Sequence, residues 1–303
     1  MSISTSSGDL IADRRFNYAA ALAAAGDFAA AVGVLRQALE RAEEWAEGWV
    51  TLGDWCQRLG LRSDALAAFE TASRLDPQGR LGAGVRLAAL GAAPSVDALQ
   101  QSYFAALFDD YAPRFEHSLV GRLAYSAPAR VVAALHSVRP GRFARAIDLG
   151  CGTGLMGEAI RDRVDHLTGI DVSPKMVKLA ADKQVYDSLL VGDAIAHLAN
   201  EAGGAFDLVL AADMLPYVGD VAPLFGAVAR CLAPDGVFAF TCERHDGTGF
   251  VLGDTLRYRH APSAIRAAAE AAGLAVRTLD EATTRTERGA PVAGLVSIVA
   301  RAG

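Results

Sequence analysis

The chain is poor in cysteine, with four among 303 residues: Cys56, Cys151, Cys231 and Cys242. No two of them stand at the C-x-x-C spacing that zinc sites and redox pairs use, so the sequence predicts no bound metal. A chain without a disulfide framework is typical of a reducing compartment, and we therefore expect a cytoplasmic protein.

Long apolar runs and an excess of positive charge are also missing. Glycine or a charged residue interrupts every apolar run before the roughly 18 residues that a membrane-spanning helix needs, so none is predicted. The serine-rich residues 1–13 lack the apolar core of a secretory signal. The net charge of −6 disfavours a broad nucleic-acid-binding face, and we expect neither nucleic acid nor a membrane as a partner.

What the chain does contain is enough length and enough apolar residues, 52%, for two domains with hydrophobic cores. Residues 14–78 repeat with a period of 34, and small and large apolar residues recur in two matching sets. The matching positions are Gly26, Ala31, Leu35 and Ala38 in the first set and Gly60, Ala65, Phe69 and Ala72 in the second. This is the tetratricopeptide period, in which small residues let two paired helices approach closely.

Two such repeats are fewer than the roughly three that usually bury a continuous core. We expect a helix over residues 81–90 to cap the second repeat, with packing against the rest of the chain as the alternative. A breaker at residues 91–95 marks a linker. The predicted domains are therefore an all-helical domain at residues 1–94 and a second domain at residues 95–303. Helical repeats of this kind usually bind proteins. We therefore expect the first domain to bind a protein partner or to associate with a second copy of itself.

Strands and helices alternate along the second domain. Five strand-like runs lie at residues 144–148, 166–171, 188–191, 207–211 and 236–241, with helix-like runs between them. This order predicts an α/β fold in which a parallel sheet carries helices on both faces. Two further strand-like runs, at residues 275–278 and 295–299, are expected to form a hairpin, so the last strand is predicted to run antiparallel.

The most informative motif follows the first of these strands. Asp148 ends the strand, and a turn containing Gly150, Gly152 and Gly154 comes directly after it. Glycines let the backbone approach a ligand closely, and the helix that follows presents unpaired N–H groups beside it. Parallel sheets hold nucleotide-like molecules at such turns. The motif alone leaves the ligand open, because residues 152–157 also satisfy the G-x-G-x-x-G pattern of dinucleotide sites.

Acidic residues also end the next two strands. Asp171 lies 21 residues after Gly150, a spacing that suits an acid binding both hydroxyls of a ribose. Asp193 ends the following strand, within reach of an exocyclic amine of adenine. Any one strand-end acid is explained equally well as a helix N-cap, but three in register with a glycine turn favour a ligand site.

Together these motifs resemble those of the class I S-adenosylmethionine-dependent methyltransferases. Residues 147–154 resemble the first motif of that family, residues 169–173 the second, residues 191–194 the third and residues 206–215 the fourth. With repeats in front, the whole chain is similar to a bacterial group of repeat-containing methyltransferases. The resemblance implies a Rossmann-like seven-stranded sheet with its last strand antiparallel. It also implies S-adenosylmethionine as cofactor and S-adenosylhomocysteine as product.

The resemblance further implies which residues contact the cofactor. The implied set is Asp148, Gly150, Cys151, Gly152, Gly154, Asp171, Val172, Met176, Asp193, Ala194 and Ala211. In it, Asp148 organises the loop that faces the amino group, Asp171 binds the ribose, and Asp193 with the Ala194 amide binds the adenine edge. Met176 is explained equally well as the core of a helix.

An aromatic helix is predicted ahead of the sheet, over residues 95–118. Its aromatic residues are Tyr103, Phe104, Phe108, Tyr111 and Phe115. This helix could cover the cofactor site, with Tyr111 as the contact and Phe115 behind it, because aromatic faces suit a sulfonium cation. The alternative is that its apolar face only packs on the sheet.

The methyl acceptor is predicted less sharply, because S-adenosylmethionine needs mainly alignment and exclusion of water, sometimes with removal of a proton. The Asn-Pro-Pro-Tyr signature of amino-group DNA and protein methylation is absent from residues 211–217, which favours a small-molecule acceptor. The catalytic candidates are Asp213, Tyr217 and His260, the last as a general base. The substrate-binding candidates are His245, Arg257 and Tyr258.

Residues 257–260 are explained equally well as a solvated loop or a helix cap. If they do bind substrate, Arg257 and Arg259 suit a carboxylate or a phosphate.

Three other functions stay open at this point. A nicotinamide-dependent oxidoreductase is permitted by the G-x-G-x-x-G match, but that match is out of phase with the strand end and no Tyr-x-x-x-Lys pair follows it. A non-catalytic adaptor would sense S-adenosylmethionine while its repeats hold a partner. A protein methyltransferase would modify a protein that the repeats recruit.

Overall fold

The computed structural model describes residues 6–92, 97–116, 125–253, 255–287 and 289–301. The chain divides into two compact units, a helical unit at residues 1–106 and a sheet unit at residues 107–303. The division falls inside a helix rather than at residue 94, where the sequence placed the domain boundary. Residues 93–95 of the expected linker lie outside the described residues.

Within residues 6–92 and 97–106, five helices and the beginning of a sixth form the helical unit. They are α1 (Leu10–Ala24), α2 (Phe28–Leu39), α3 (Ala46–Arg58), α4 (Arg62–Leu75), α5 (Ala83–Ala89) and α6 (Asp97–Tyr111). Helix α1 packs against α2, and α3 packs against α4, so the unit contains two successive helical pairs.

The residues with the 34-residue period occupy equivalent places in these two pairs. Gly26 and Gly60 both have left-handed backbone angles, with φ of +88° and +74°, in the turn between the helices of each pair. The buried residues Ala31, Leu35 and Ala38 on α2 correspond to Ala65, Phe69 and Ala72 on α4. The sequence period is therefore a period in the structure as well.

The helix expected over residues 81–90 is α5, which packs on α4. Its Arg86 donates two hydrogen bonds to the Asp54 carboxylate, at 2.7 and 3.1 Å, and lies 5.9 Å from the centre of the Tyr103 ring. The same ring covers Gly82, where a Cβ atom would lie 2.5 Å from it. Because Tyr103 belongs to α6, the helical unit extends beyond the boundary expected from the sequence.

Nine strands form one mixed sheet in the part of the sheet unit that the structure describes. They are β1 (Phe143–Leu149), β2 (Val164–Asp171), β3 (Ser188–Val191), β4 (Phe206–Ala211), β5 (Leu232–Arg244), β6 (Phe250–Leu252), β7 (Tyr258–His260), β8 (Leu274–Glu287) and β9 (Ala290–Arg301). The helices of this unit are α7 (Ala127–Val138), α8 (Leu155–Ile160), α9 (Pro174–Asp182), α10 (Ala194–Asn200), α11 (Ala222–Cys231) and α12 (Pro262–Ala271).

The five predicted parallel strands lie in the order β3-β2-β1-β4-β5, and β9 runs antiparallel between β5 and β8. The α/β fold with an antiparallel last strand is therefore confirmed. The order reverses between β1 and β4, and such a switch point opens a crevice at the carboxyl ends of the strands. The glycine turn follows β1, so it lies at this crevice.

Two parts of the sheet unit differ from the prediction. No strand was predicted between residues 241 and 275, but β6 and β7 lie there, and β7 pairs with β5 through Glu243 opposite Arg259. Strands of three residues are too short to leave a periodic signal. The helix-like run between the first two predicted strands is only partly helical: α8 ends at Ile160, residues 161–163 form a 3-10 turn, and β2 begins at Val164, two residues before the predicted strand.

Hydrophobic side chains fill both faces of the sheet. Phe225 on α11 packs edge-on against Phe238 and Phe240 of β5, while Val131 and Leu135 of α7 belong to a second cluster. Among the described residues, no helix is both long and apolar enough to cross a membrane.

Candidate active site at the carboxyl edge of the sheet

The glycine turn between β1 and α8 depends on its three glycines. Gly150, Gly152 and Gly154 have φ of +67°, +53° and +92°, a region that other residues rarely adopt. The amide of Gly150 donates to the carbonyl of Ile170 at 2.8 Å, which fixes the turn to β2. A Cβ atom on Gly150 would lie 3.1 Å from Cβ of Met214, so the turn also touches the segment after β4.

Asp148 lies below this turn with 1% of its surface exposed. Its Oδ2 accepts a hydrogen bond of 2.7 Å from the Tyr186 hydroxyl, while Oδ1 has no partner among the described residues. Burial raises the pKa of Asp148 to about 7, against the lowering effect of the Tyr186 bond. A buried acceptor without a partner is unfavourable, and a cationic ligand group at Oδ1 would satisfy it.

Tyr186 is a site residue that the sequence analysis missed. A Cβ atom on Gly157 would lie 2.4 Å from its ring, and one on Gly169 would lie 2.9 Å from it. The signal for this residue in the sequence was Gly157, the last glycine of the G-x-G-x-x-G match. Because packing against the Tyr186 ring explains why this position is glycine, the match is no evidence for a dinucleotide site.

Asp171 joins the end of β2 to the glycine turn. Its Oδ2 accepts from the Gly152 amide at 2.9 Å and its Oδ1 from the Ser173 amide at 2.8 Å. Burial raises its pKa, while the amides of Ser173 and Gly152 lower it. The Val172 amide is a third donor to this carboxylate. Because an ionised carboxylate has about four lone-pair sites, Asp171 can still accept from a ligand hydroxyl. Val172, the next residue, is half-buried.

Asp193 takes the N-cap position that the sequence analysis considered for any single strand-end acid. Its Oδ1 accepts from the Ala196 amide at 2.6 Å and begins α10 at Ala194. Met176 is 1% exposed in the first turn of α9, as expected of a core residue. Asp193 therefore has a structural role in addition to the implied contact with adenine.

The end of α6 and the 3-10 turn after it lie on the glycine turn and on the segment after β4. The Phe115 ring is 3.8 Å from where a Cβ of Gly152 would stand. The Phe108 ring meets Tyr217 edge-on, with ring centres 5.1 Å apart. Tyr111 contacts the Phe115 ring at 5.5 Å. The structure therefore brings Phe115 close to the glycine turn at Gly152, with Tyr111 in contact with Phe115.

A buried polar cluster follows β4 and β5, next to Met214. Arg257 donates from Nη2 to Asp213 Oδ1 at 3.0 Å, from Nε to Glu243 Oε1 at 2.5 Å, and from Nη1 to the Tyr217 hydroxyl. Its guanidinium also lies 4.7 Å from the centre of the Tyr217 ring. Three of the predicted acceptor-side residues, Asp213, Tyr217 and Arg257, are therefore brought together.

The conformation of Asp213 is held by its surroundings. Its φ of +64° is unusual for a residue other than glycine, and its amide donates to Thr241 Oγ1 at 2.8 Å. Burial raises the pKa of Tyr217 to about 12, against the lowering effect of the Arg257 charge. Tyr217 is therefore a protonated phenol at neutral pH and unsuited to act as a base.

Glu243 and Arg285 complete this cluster, and the sequence analysis missed both. Arg285, near the tip of the β8–β9 hairpin, donates to Glu243 Oε1 at 2.7 Å and to Glu287 at 3.3 Å. Because Asp213 and Glu243 already neutralise Arg257, the suggestion that Arg257 binds a substrate carboxylate or phosphate does not fit the structure. Tyr125 was missed too: burial raises its pKa, and the charges of Asp213 and Asp148 raise it further.

Two further residues predicted for the acceptor side, His260 and Tyr258, have structural roles, and the prediction that His260 is a general base is corrected. His260 is fully buried, and its Nε2 donates to the carbonyls of Val218 and Gly219 at 2.9 and 3.1 Å. Burial also lowers its pKa. Because the side chain is fully buried and its Nε2 is bonded to two carbonyls, it is not accessible to a substrate as a general base. Tyr258 is buried as well, and a Cβ on Gly219 would lie 3.0 Å from its ring.

His245 closes a turn after β5 and does not join the cluster. Its Nδ1 accepts from the Gly247 amide at 3.0 Å, and its Nε2 lies 3.3 Å from the Gly249 carbonyl oxygen. None of its described contacts reaches Asp213 or Arg257.

The part of the chain that contains the glycine turn matches a known protein family. Residues 147–240 match the model of a methyltransferase domain family. The ubiquinone biosynthesis O-methyltransferase of Xylella fastidiosa (strain 9a5c) is 35% identical over 105 residues, which are 33% of this chain and 43% of that protein. The protein of the same name from Xanthomonas oryzae pv. oryzae (strain PXO99A) is 36% identical over 105 residues, 33% of this chain and 44% of that protein. The chain thus spans less than half the length of these curated relatives.

Solved structures extend the likeness to about two thirds of the chain. The [4+2]-cyclase SpnF has a TM-score of 0.56 at 17% identity, covering 67% of this chain and 96% of its own. The 1,6-didemethyltoxoflavin-N1-methyltransferase of Burkholderia thailandensis has a TM-score of 0.53 at 17% identity, covering 70% of this chain and 93% of its own. At such identities the likeness is one of fold. The chain therefore contains a region that matches a methyltransferase domain family, within a Rossmann-like fold that it shares with S-adenosylmethionine-dependent methyltransferases.

Proposed function

We propose that the chain transfers the methyl group of S-adenosylmethionine to a hydroxyl group of a small, uncharged molecule. One observation carries the cofactor half of this proposal: Asp171 is hydrogen-bonded to the Gly152 amide at 2.9 Å, so the acid after β2 and the turn after β1 form one continuous surface. A ribose hydroxyl pair bound at Asp171 would place the rest of the ligand along that turn.

The other cofactor contacts follow from this placement. The unpartnered Oδ1 of Asp148 fits the amino group of the methionine moiety. The second oxygen of Asp193 and the Ala194 amide are left for the adenine edge. When bound, S-adenosylmethionine supplies an electrophilic methyl group on sulfur. Ala211 ends β4, two residues before Asp213. It would lie between the methionine end of the cofactor and the polar cluster around Asp213.

The acceptor half of the proposal rests on the cluster around Asp213. Met214, the neighbour of Asp213, touches Gly150, so this cluster adjoins the methionine end of the turn. The Arg257 guanidinium engages Asp213 Oδ1, and the other oxygen, Oδ2, is the group that would accept the acceptor proton. The two cations of the cluster, Arg257 and Arg285, pair with three acids, Asp213, Glu243 and Glu287, which favours an uncharged acceptor.

The choice of oxygen as the reacting atom is supported by the relatives, which are named as O-methyltransferases. Their match covers about a third of this chain, so it supports the reaction class more strongly than any particular substrate.

Because one structure with this fold is a [4+2]-cyclase, cofactor binding alone would not establish methyl transfer. The decisive experiment incubates the purified chain with S-adenosylmethionine labelled on the methyl group and a panel of phenols and aliphatic alcohols. We expect label in an uncharged hydroxyl compound, and much less of it with Asp213→Asn. Label that appears only in carboxylates, amines or added proteins would contradict the proposed acceptor.

We further propose that α1 to α4 form two tetratricopeptide repeats, because Gly26 and Gly60 have the same backbone conformation at equivalent turns. Their role would be self-association or the binding of a protein partner. Light scattering across a concentration series tests the first role, and recruitment of a protein to be methylated is tested by label in protein. Location in the cytoplasm stays a prediction.

A further inference from the structure

A carboxylate at the end of α6 is bonded to the loop that carries the proposed ribose acid. Asp109 Oδ1 accepts from the Ser173 hydroxyl at 2.6 Å and from the Lys175 amide at 3.2 Å. The Lys175 ammonium returns a bond of 3.2 Å to the carbonyl of Asp109. A bond of 2.6 Å between a hydroxyl and a carboxylate belongs to the strong, charge-assisted class.

Ser173 passes this contact on to the cofactor site. Its side chain is fully buried, and its hydroxyl oxygen accepts from the Met176 amide at 3.1 Å as the N-cap of α9. A hydroxyl has one proton to donate, and here that proton goes to Asp109. The Ser173 amide in turn donates to Asp171 Oδ1 at 2.8 Å. One chain of hydrogen bonds thus runs from Asp109 through Ser173 to Asp171.

We propose that Asp109 is a positioning residue for the cofactor: by fixing the Ser173 hydroxyl, it holds the Asp171 carboxylate in place for the ribose. This inference rests on the proposed function, because it takes Asp171 as the ribose acid. Asp109 touches no reacting group. It acts through Ser173, and it makes cofactor affinity depend on whether the end of α6 is seated.

A second contact seats the same segment from its other end. We call residues 107–116 the covering segment. Glu116 lies 2.8 Å from the Lys183 ammonium, which also pairs with Glu158. Phe115, one residue earlier, lies on Gly152. The covering segment is therefore held by an ion pair at one end and by Asp109 near the other, with its aromatic residue on the glycine turn between them.

The neighbouring acid shows that this arrangement is specific to Asp109. Asp110 pairs with Arg114 on the exposed face of the same segment, with 77% of its side chain exposed. Exposed pairs of this kind contribute little to stability. Asp110 therefore provides a matched control of the same charge, one position away.

The test measures the dissociation constant of S-adenosylhomocysteine by calorimetry, together with the melting temperature. Asp109→Ala is expected to weaken binding about tenfold, since a hydrogen bond to a charged group is lost. Asp109→Asn keeps a neutral acceptor oxygen and should recover part of the loss. Asp110→Ala should stay within about twofold of the parent, because its contacts are exposed.

A double-mutant cycle separates positioning from a merely structural role. If Asp109 acts through Ser173 and Asp171, Asp109→Ala should cost much less affinity in a Ser173→Ala or an Asp171→Asn background than in the parent. A structural role would give the same loss in every background, and that result would overturn the inference. So would parent-like affinity of Asp109→Ala while Asp171→Ala binds poorly.

The failure of the inference is distinguishable from that of the proposed function. If the parent itself does not bind S-adenosylhomocysteine, the proposed cofactor site is wrong and the inference falls with it. If the parent binds S-adenosylhomocysteine, Asp171→Ala binds it poorly and the Asp109 variants bind it as the parent does, the inference alone is wrong. Should Asp109→Ala melt before binding can be measured, Asp109→Asn and Ser173→Ala carry the same comparison.

Discussion

The Tyr186 hydroxyl donates a hydrogen bond of 2.7 Å to Asp148 Oδ2, beneath the glycine turn. The other oxygen of Asp148 is buried without a partner among the described residues. The pKa of this carboxyl group is about 7. Its Oδ1 is therefore left as an acceptor for the amino group of the cofactor, which is proposed to bind above it.

Cofactor affinity should therefore rise with pH across neutrality. A carboxylate at Asp148 attracts the ligand ammonium and a carboxylic acid does not, so binding of S-adenosylhomocysteine should be about eightfold weaker at pH 6 than at pH 7.5. The folding stability of the ligand-free chain should depend on pH in the opposite direction to cofactor affinity. The raised pKa means that the native state favours protonated Asp148, and this contribution is lost as the pH rises through about 7. Calorimetry at several pH values checks the binding profile, and Asp148→Asn, which cannot ionise, should remove most of its slope.

Tyr186→Phe should move that profile toward higher pH. Its hydroxyl lowers the pKa of Asp148, so removing it should raise that pKa further and weaken binding at neutral pH. At high pH the variant should approach the affinity of the parent, because Asp148 is then ionised in both. An unchanged midpoint with uniformly weaker binding would mean that Tyr186 matters only for packing.

Gly157→Ala should destabilise the sheet unit by about 1–3 kcal/mol, since overpacking forces neighbouring side chains to move. The added Cβ would stand 2.4 Å from the Tyr186 ring. Gly226→Ala on α11 is the matched control: it meets nothing within 4 Å and should stabilise its helix slightly. Urea unfolding of both variants measures the difference, and equal stabilities would contradict the packing assigned to Tyr186.

Arg257→Met should cost about 3–5 kcal/mol, because removing one partner leaves buried acids unpaired. Arg257 has 13% of its side chain exposed, and it pairs with Asp213 and Glu243 at 3.0 and 2.5 Å. Methyl transfer should fall more than cofactor affinity, since the disturbed residues lie on the acceptor side. Arg259→Met, at an exposed position of β7, is the control. A stable and fully active Arg257→Met variant would show that the cluster does not shape the acceptor site.

Many residues of the proposed cofactor site could be selected from the sequence because they lie close together along the chain. Asp148, Gly150, Gly152 and Gly154 lie within seven positions, and the order of strands and helices places Asp171 at the same edge of the sheet. Local spacing also explains why the hairpin of β8 and β9 was predictable.

The acceptor half could not be predicted in this way, because its contacts join residues distant in sequence. Arg257 meets Asp213 and Tyr217 across 44 and 40 positions, and Arg285 meets Glu243 across 42. The burial of His260 was missed for the same reason. It follows polar residues that suggest a loop, whereas its strand β7 pairs with both β5 and β6 and its side chain is fully buried.

The most direct test of the cofactor site is calorimetric titration of the full chain with S-adenosylmethionine, S-adenosylhomocysteine and NAD, for the parent and for Asp171→Ala. The parent is expected to bind the first two at one site per chain and not to bind NAD, and Asp171→Ala should bind both of the first two far more weakly. Tight binding of NAD with no response to the other two would contradict the account, and parent-like affinity of Asp171→Ala would remove its assignment of the ribose acid.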